Sequence, residues 1–382
     1  MRKALFAVAA AAGLLFVIGT AGCTDKWVDD GGVDGPATGT SGNARIGVVF
    51  PDTTSSVRWS TQDSKYLKAA FDKSAAPVEI DNALGDRAQF VRIADRMIAG
   101  GATVLIIVSP DADTGREVLA HARKAKVKTI DYDRLTLNGG ADYYVSFDNV
   151  KVGRLQGQGL VKCLSEKKAA DPVVAEINGS PSDNNATLFK QGYDAVLQPK
   201  YDRAEYTKGP DQWAPDWDAV EGGQIFTQMI KQQPRIRGVL AANDGLAGAV
   251  IQVLKLHRLN GKVPVTGQDA TVDSLRAILT GDQCMTVYKA IRPQAEAAAN
   301  LAVALYRGEQ PATANLGHGI DRIKDPVSGG YVPFVSLTPQ SITRDTIQKT
   351  VDDGFADPKA ICRGKLYQQL CQTYGIHPRK PS

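Results

Sequence analysis

An α/β fold of parallel sheets, arranged as two successive lobes, is what the sequence predicts, and three observations carry it. Short β-rich apolar runs alternate with amphipathic helical stretches through the chain, the pattern of strand–helix–strand crossovers. The run 103–108 is continuous and β-rich, as a strand buried on both faces is. The series restarts near Val150, and 382 residues suffice for two lobes of ordinary size.

The elements follow in order. Arg2 and Lys3 precede an apolar run, 4–18, too short for a confident membrane span, which ends in Gly-Thr-Ala-Gly-Cys23. This reads as a signal segment, residues 1–22, with Cys23 in a bacterial lipobox as the lipidated first mature residue. Thr20 stands where a lipobox usually has Leu, so an ordinary signal peptidase site stays open. Residues 25–43 are rich in Gly, Asp, Thr and Ser and read as a tether. The first series has strands at 45–50, 78–80, 103–108, 127–130 and 143–147, with helices at 63–74, 87–98 and 114–124. In 87–98, Phe90, Ile93, Ala94, Met97 and Ile98 fall at helical spacing, and Gly100-Gly101 ends the helix. The second series has helices at 150–164, 186–197, 218–232, 246–259 and 272–280. Its strands are 173–177, 238–242, 263–266 and 285–288, with 201–207 as a further candidate. An Ala-rich helix at 292–306 follows. Beyond it Pro311, Pro326, Pro333 and Pro339 suggest irregular chain, with a short helix at 342–351.

Composition narrows the function. The chain is 43% hydrophobic and 23% charged, as a soluble globular protein is; its net charge is +4, and removing Arg2 and Lys3 leaves +2. No basic patch accompanies that charge, so nucleic acid is not an expected partner. Four cysteines remain after Cys23, and an exported chain with an even count favours disulfides. Cys362–Cys371 is the preferred pair because it closes a short loop, and Cys163–Cys284 follows. Four His, none with close metal-ligand spacing to a Cys, make a metal site unexpected, and no cofactor is expected.

Polar residues gather where strands end. The stretch 177–185, Ile-Asn-Gly-Ser-Pro-Ser-Asp-Asn-Asn, joins a strand to a helix and crowds Asn178, Asp183, Asn184 and Asn185 into one turn. Asp183 can cap the helix, but one cap does not need three neighbours of the same kind. Ligands of open α/β sheets sit outside the carboxyl ends of the strands. Further strand ends carry Arg58 and Trp59, Asp133 and Arg134, Asn243, Asp269 and Lys289, and Trp213 also lies in a loop. Each acid taken alone could be a cap. Caps do not explain Arg, Lys and Trp at the same ends. Indole faces stack on the C–H patches of a pyranose, and Asp, Asn and Arg pair with its hydroxyls.

Six stretches carry a family resemblance: Val145-Ser-Phe-Asp-Asn, Gly179-Ser-Pro-Ser-Asp-Asn-Asn-Ala, Asp211-Gln-Trp, Ala242-Asn-Asp, Gly267-Gln-Asp-Ala and Met285-Thr-Val-Tyr-Lys. Over roughly residues 45–355 the chain resembles the periplasmic xylose-binding proteins, which belong to the ribose- and galactose-type (type I) solute-binding proteins of ABC sugar importers. The resemblance implies two Rossmann-like lobes joined by a three-stranded hinge. It divides the chain into residues 44–149 plus about 291–325, residues 150–290 plus about 326–355, and an extension, 356–382, outside it. The implied sugar contacts are Arg58, Trp59, Asp133, Arg134, Asp183, Asn185, Trp213 as the second stacking aromatic, Asn243, Asp269 and Lys289. The implied partners are a monosaccharide, D-xylose or D-glucose, and an ABC permease. Cys23 would anchor a monomer at the outer face of the cytoplasmic membrane, or the protein would lie free in the periplasm. The uncharged run 53–57 before Arg58 departs from the family pattern, which puts glucose close behind xylose.

Two other classes compete. Asp133, Asp183 and Asp269 could supply a glycosidase pair, but Arg58, Arg134 and Lys289 beside them would lower their pKa values and suit them to accepting hydrogen bonds. No nucleophile elbow, zinc motif or phosphate loop is present in the sequence. A binding protein that reports to a membrane sensor stays open beside transport.

Overall fold

The structure, a computed structural model, describes residues 45–379; the segments read as a signal and a tether, and Cys23 between them, lie outside these residues. The first lobe opens with β1 (Arg45–Phe50), α1 (Ser64–Ser74), β2 (Val78–Asn82), α2 (Arg87–Ala99), β3 (Ala102–Ile107), α3 (Ala112–Lys124), β4 (Lys128–Tyr132) and β5 (Tyr143–Phe147). The second lobe is α4 (Asn149–Glu166), β6 (Val173–Asn178), α5 (Asn184–Asp202), β7 (Thr207–Trp213), α6 (Ala219–Gln232), β8 (Ile236–Ala241), α7 (Asp244–Leu256), α8 (Val272–Thr280) and β9 (Thr286–Tyr288). The chain then returns through α9 (Ile291–Tyr306), β10 (Ile320–Lys324) and β11 (Tyr331–Leu337). It ends with β12 (Gln340–Ile342), α10 (Gln348–Asp352), α11 (Pro358–Ile361) and α12 (Lys365–Thr373).

The first sheet has the order β10-β11-β5-β4-β3-β1-β2, with every pair parallel except β10–β11. Successive residues of its strands face opposite sides. Val48, Val104 and Ile106 pack with α1 and α9, while Val49, Leu105 and Ile107 pack with Phe90 and Ile93 of α2 and Val118 of α3. In the second lobe β6 lies between β7 and β8 and is buried along its length. Helices α4 and α5 cross closely because Gly153 and Gly192 lack side chains. A Cβ at either would strike backbone of the partner helix, Phe189 and Val150 respectively. The chain passes between lobes three times, at β5–α4, β9–α9 and β11–β12, which puts three adjacent crossings at one side of the cleft.

Four expectations need correction. The segment 326–337 belongs to the first lobe: β11 pairs with β5 from Phe334–Tyr144 to Leu337–Phe147, and Val335 is fully buried. Pro333 lies one residue before that register, so its missing N–H costs the β5 ladder nothing. The strand expected at 201–207 is instead β7; α5 continues to Asp202, and Pro210 is tolerated because β7 is an edge strand. Residues 263–266 make only one isolated bridge, Val239–Val265, and a second at Gln268–Val287 just after them completes the link from β8 to β9. The helix expected at 342–351 starts later, after β12 and a 3-10 turn, Arg344–Thr346. The extension beyond Ala356 folds onto α8. Arg276 donates to the carbonyls of Ala360 and Ile361 and lies 3.6 Å from the Tyr367 ring. Disulfides join Cys163 to Cys284 and Cys362 to Cys371, with Cα separations of 6.4 and 5.9 Å.

Candidate functional site

The loop after β1 begins the site. Asp52 fixes it by accepting from the Thr54 and Ser55 amides at 2.8 and 2.7 Å and from the Ser55 hydroxyl at 2.8 Å. The Ser55 hydroxyl accepts in turn from Trp59 Nε1 and from Arg134, each at 3.1 Å. Trp59 opens a helical turn, Trp59–Asp63, that leads into α1. That turn brings Asp63 back to Arg58, whose Nε and Nη2 donate to it at 2.8 and 2.6 Å. Arg58 also donates to Asp133 at 2.7 Å and to Gln294 at 2.7 Å, so a buried guanidinium has a partner on every side.

Asp133 sits at the end of β4 with φ +63. Its carbonyl accepts from Tyr144, Ser146 and Asn185 at 2.9, 2.8 and 3.0 Å, which holds a backbone conformation that a non-glycine residue adopts at a cost. Lys289, at the second crossing, reaches its carboxylate at 3.0 Å. Burial pushes this carboxyl up, but Lys289 and Arg58 outweigh it and hold the group well below the usual range.

The second lobe answers across the cleft. Asp183 caps α5 by accepting from the Asn185 amide at 2.9 Å, and the same carboxylate pairs with Arg134 at 2.9 Å and accepts from Trp217 Nε1 at 3.1 Å. Asn243 caps α7 through Leu246 at 2.9 Å and donates to the Ser55 carbonyl at 3.4 Å. Gln156 of α4 braces these strand ends, donating to the carbonyls of Ala241, Ala242 and Gly267. Asp269 has φ +108 and accepts from Ser56 at 2.9 Å and from Gln268. It caps no helix; Thr271 caps α8.

Nine of the ten residues expected to meet a ligand line one cavity between the lobes, and Trp213 does not. Trp213 ends β7 opposite Asn178 and packs, half-buried, on the second-lobe core. Its place is taken by Trp217, four residues on, in a turn where Asp216 and Trp217 both have positive φ. Gly179 makes this possible, since a Cβ there would strike the Trp217 indole. The sequence signal for Trp217 was a second indole in the same loop. Ser55, Ser56, Phe189 and Gln268 also line the cavity, and small hydroxyls and a helical Phe carry no comparable signal.

The expectation that cations lower every site carboxylate is also corrected. Burial pushes the Asp269 carboxyl above its ordinary value, and Lys289 and Arg58 offset this only in part. Asp63, Asp133 and Asp183 each make an ion pair; among the described residues Asp269 makes none. It is thus the site's acceptor without a cation. The cavity has a volume of about 20 Å³, room for about one water. Among the described residues no group of three His, Cys, Asp or Glu side chains stands close enough to hold a metal ion.

The family model described as the periplasmic binding protein domain matches residues 46–310. The chain belongs to this family. The D-xylose-binding periplasmic protein of Haemophilus influenzae is 33% identical over 324 residues, which are 84% of this chain and 93% of that protein. The Escherichia coli protein of the same name is 34% identical over 314 residues, 81% of this chain and 90% of that protein. A carbohydrate transporter solute-binding protein from Chloroflexus aurantiacus, solved with D-glucose, superposes with a TM-score of 0.73 at 27% identity, covering 83% of this chain and 98% of that one. The family match stops at 310, before β10, β11 and the disulfide-closed extension.

Proposed function

We propose that this protein is an exported receptor that binds one pyranose, D-xylose first and D-glucose next, between its two lobes and delivers it to an ABC permease. The observation that carries this reading is the convergence of Arg, Lys, Asp and Asn side chains from both lobes on a cavity flanked by Trp59 and Trp217. Planar charged groups take sugar hydroxyls in pairs, and indoles take the apolar faces of the ring. The names of the relatives favour xylose, and the structural relative favours glucose. The receptor binds and does not turn over its sugar: Asp133 is tied to two cations, and Asp183 is spent on Arg134, Trp217 and a helix cap. Cys23 carries the lipid anchor, and the receptor works as a monomer.

The contacts named above cross the cleft, and a cavity of about 20 Å³ does not admit a sugar ring. Entry therefore requires the lobes to part, and the bound sugar takes over contacts that now run from protein to protein. Titration calorimetry against D-xylose, D-glucose, D-galactose, L-arabinose and D-ribose tests the reading. One-to-one binding of xylose or glucose, with the sugar recovered unchanged, is expected, and silence across the panel would overturn it. Asp269→Asn is expected to cost about 2–3 kcal/mol of affinity, because a buried acceptor loses its charge. Unchanged binding would remove Asp269 from the site.

A further inference from the structure

We propose that the sugar site continues into an outer cavity that takes an apolar substituent on the pyranose, so that the ligands include alkyl and aryl glycosides. This rests on the sugar-receptor reading. The outer cavity has a volume of about 460 Å³ and lies between the lobes. Ser56, Arg58, Trp217, Asn243 and Asp269 line both it and the inner cavity. The Ser56–Asp269 hydrogen bond, 2.9 Å across the cleft, is therefore part of the wall between them. A ring hydroxyl that displaced Ser56 and donated to Asp269 would sit in that wall, and a glycosidic oxygen on the neighbouring ring carbon would direct its substituent outward while that hydrogen bond is kept.

The lining decides the chemistry of that substituent. Val57, Ala219, Gly248, Ala270, Val272 and Phe355 present carbon to the space. The polar groups bordering it are largely taken. Arg58 is spent on Asp63, Asp133 and Gln294. Asp244 accepts from Thr271, Thr286 and Gln283, and Gln62 donates to the Phe355 carbonyl. A second sugar ring would leave hydroxyls without paired donors, whereas an aryl or alkyl group loses nothing on leaving water. Phe355 comes from the segment after α10 and also packs on the first-lobe core, so the far wall is built from chain beyond the family match. Thr54, Ser55, Ser56 and Val57, from the uncharged run before Arg58, form the near wall.

The experiment is calorimetry of the protein with D-xylose, D-glucose and both anomers of their phenyl glycosides, repeated with Gly248→Phe. Gly248 lies within α7 away from the inner cavity, a side chain there meets open space, and phenylalanine is tolerated in a helix better than glycine. At least one phenyl glycoside is expected to bind as tightly as its parent sugar or more tightly. Gly248→Phe is expected to weaken that glycoside about ten-fold or more while the parent sugar is unaffected. Free sugars bound and all glycosides rejected would overturn this inference alone. Glycoside binding that Gly248→Phe leaves untouched would place the substituent elsewhere and overturn it too. Silence to sugars and glycosides alike would overturn the receptor reading with it.

Discussion

The Asp183 carboxylate accepts from the Asn185 amide and from Trp217 Nε1 and pairs with Arg134. A helix cap and a ligand-site acid are thus one group here, because a cap uses one lone pair of a carboxylate that has several. Asn243 repeats the arrangement, capping α7 while it touches Ser55. The two indoles separate more sharply. Trp217→Ala is expected to cost about 2 kcal/mol or more of sugar affinity, and Trp213→Ala to leave it nearly unchanged; equal losses would show that β7 as a whole shapes the site. Strand ends made Arg58, Asp133 and Lys289 legible in the sequence. The choice between Trp213 and Trp217 was not, because it turns on positive φ at Asp216 and Trp217 and on the space above Gly179. Two further carboxyls, Asp131 and Asp244, make no ion pair among the described residues. Burial pushes each up to about 7, with Asp269 adding to the effect on Asp244. Both folded values lie above the ordinary 3.8, so the folded state holds protons that the unfolded state has released. Their contribution to stability is complete below about pH 4 and is lost as pH rises through about 7. Thermal melts at pH 6 and pH 8 should show less loss of stability with Asp131→Asn or Asp244→Asn than with the native residues. An identical loss would mean that neither carboxyl titrates in this range.

At the scale of elements, periodicity located most helices and strands because their burial is one-sided or complete, as in α2 and β3. It failed where a proline sits harmlessly in a strand. Pro333 lies outside the β5 register, and Pro210 is on an edge, so neither breaks a ladder that its sequence context seemed to forbid. The extension after Ala356 was legible only as a short cysteine loop. It packs on α8 through Ile361, Cys371 and Ile376 against Leu275, Ile278 and Leu279, and through Arg276, a pairing of distant segments that no local pattern shows. The two disulfides differ in what they constrain. Cys163–Cys284 spans 121 residues and Cys362–Cys371 spans 9. Chain entropy assigns the first about 5 kcal/mol and the second about 3 kcal/mol. Replacing both cysteines of a pair by alanine should therefore lower the denaturation midpoint more for Cys163–Cys284. The reverse order would mean that the extension holds the second lobe together through α8.

At the scale of the molecule, the seven-stranded sheet of the first lobe and the β7-β6-β8 sheet of the second, with the two-stranded β12–β9 pair beside it, are joined by three crossings beside the cleft. The polar contacts over that cleft are of two kinds. Inside, Asn185–Asp133, Arg134–Asp183 and Ser56–Asp269 are buried or nearly so. At the rim, Arg87 pairs with Asp216 at 3.1 Å while both side chains are largely exposed. An exposed pair contributes about 0–1 kcal/mol, so the rim does not hold the lobes together, and closure depends on the inner contacts. Those are the contacts a sugar would replace. Water competes for each of them whenever the lobes part, but a bound pyranose bridges both lobes at once and binds the closed form better. Small-angle scattering without sugar is expected to show a larger radius of gyration than at saturating sugar. Arg87→Ala should leave that difference in place. A radius that saturating sugar does not reduce would mean that the ligand enters without closing the cleft, and the inner contacts would then hold the lobes whether or not a sugar is bound.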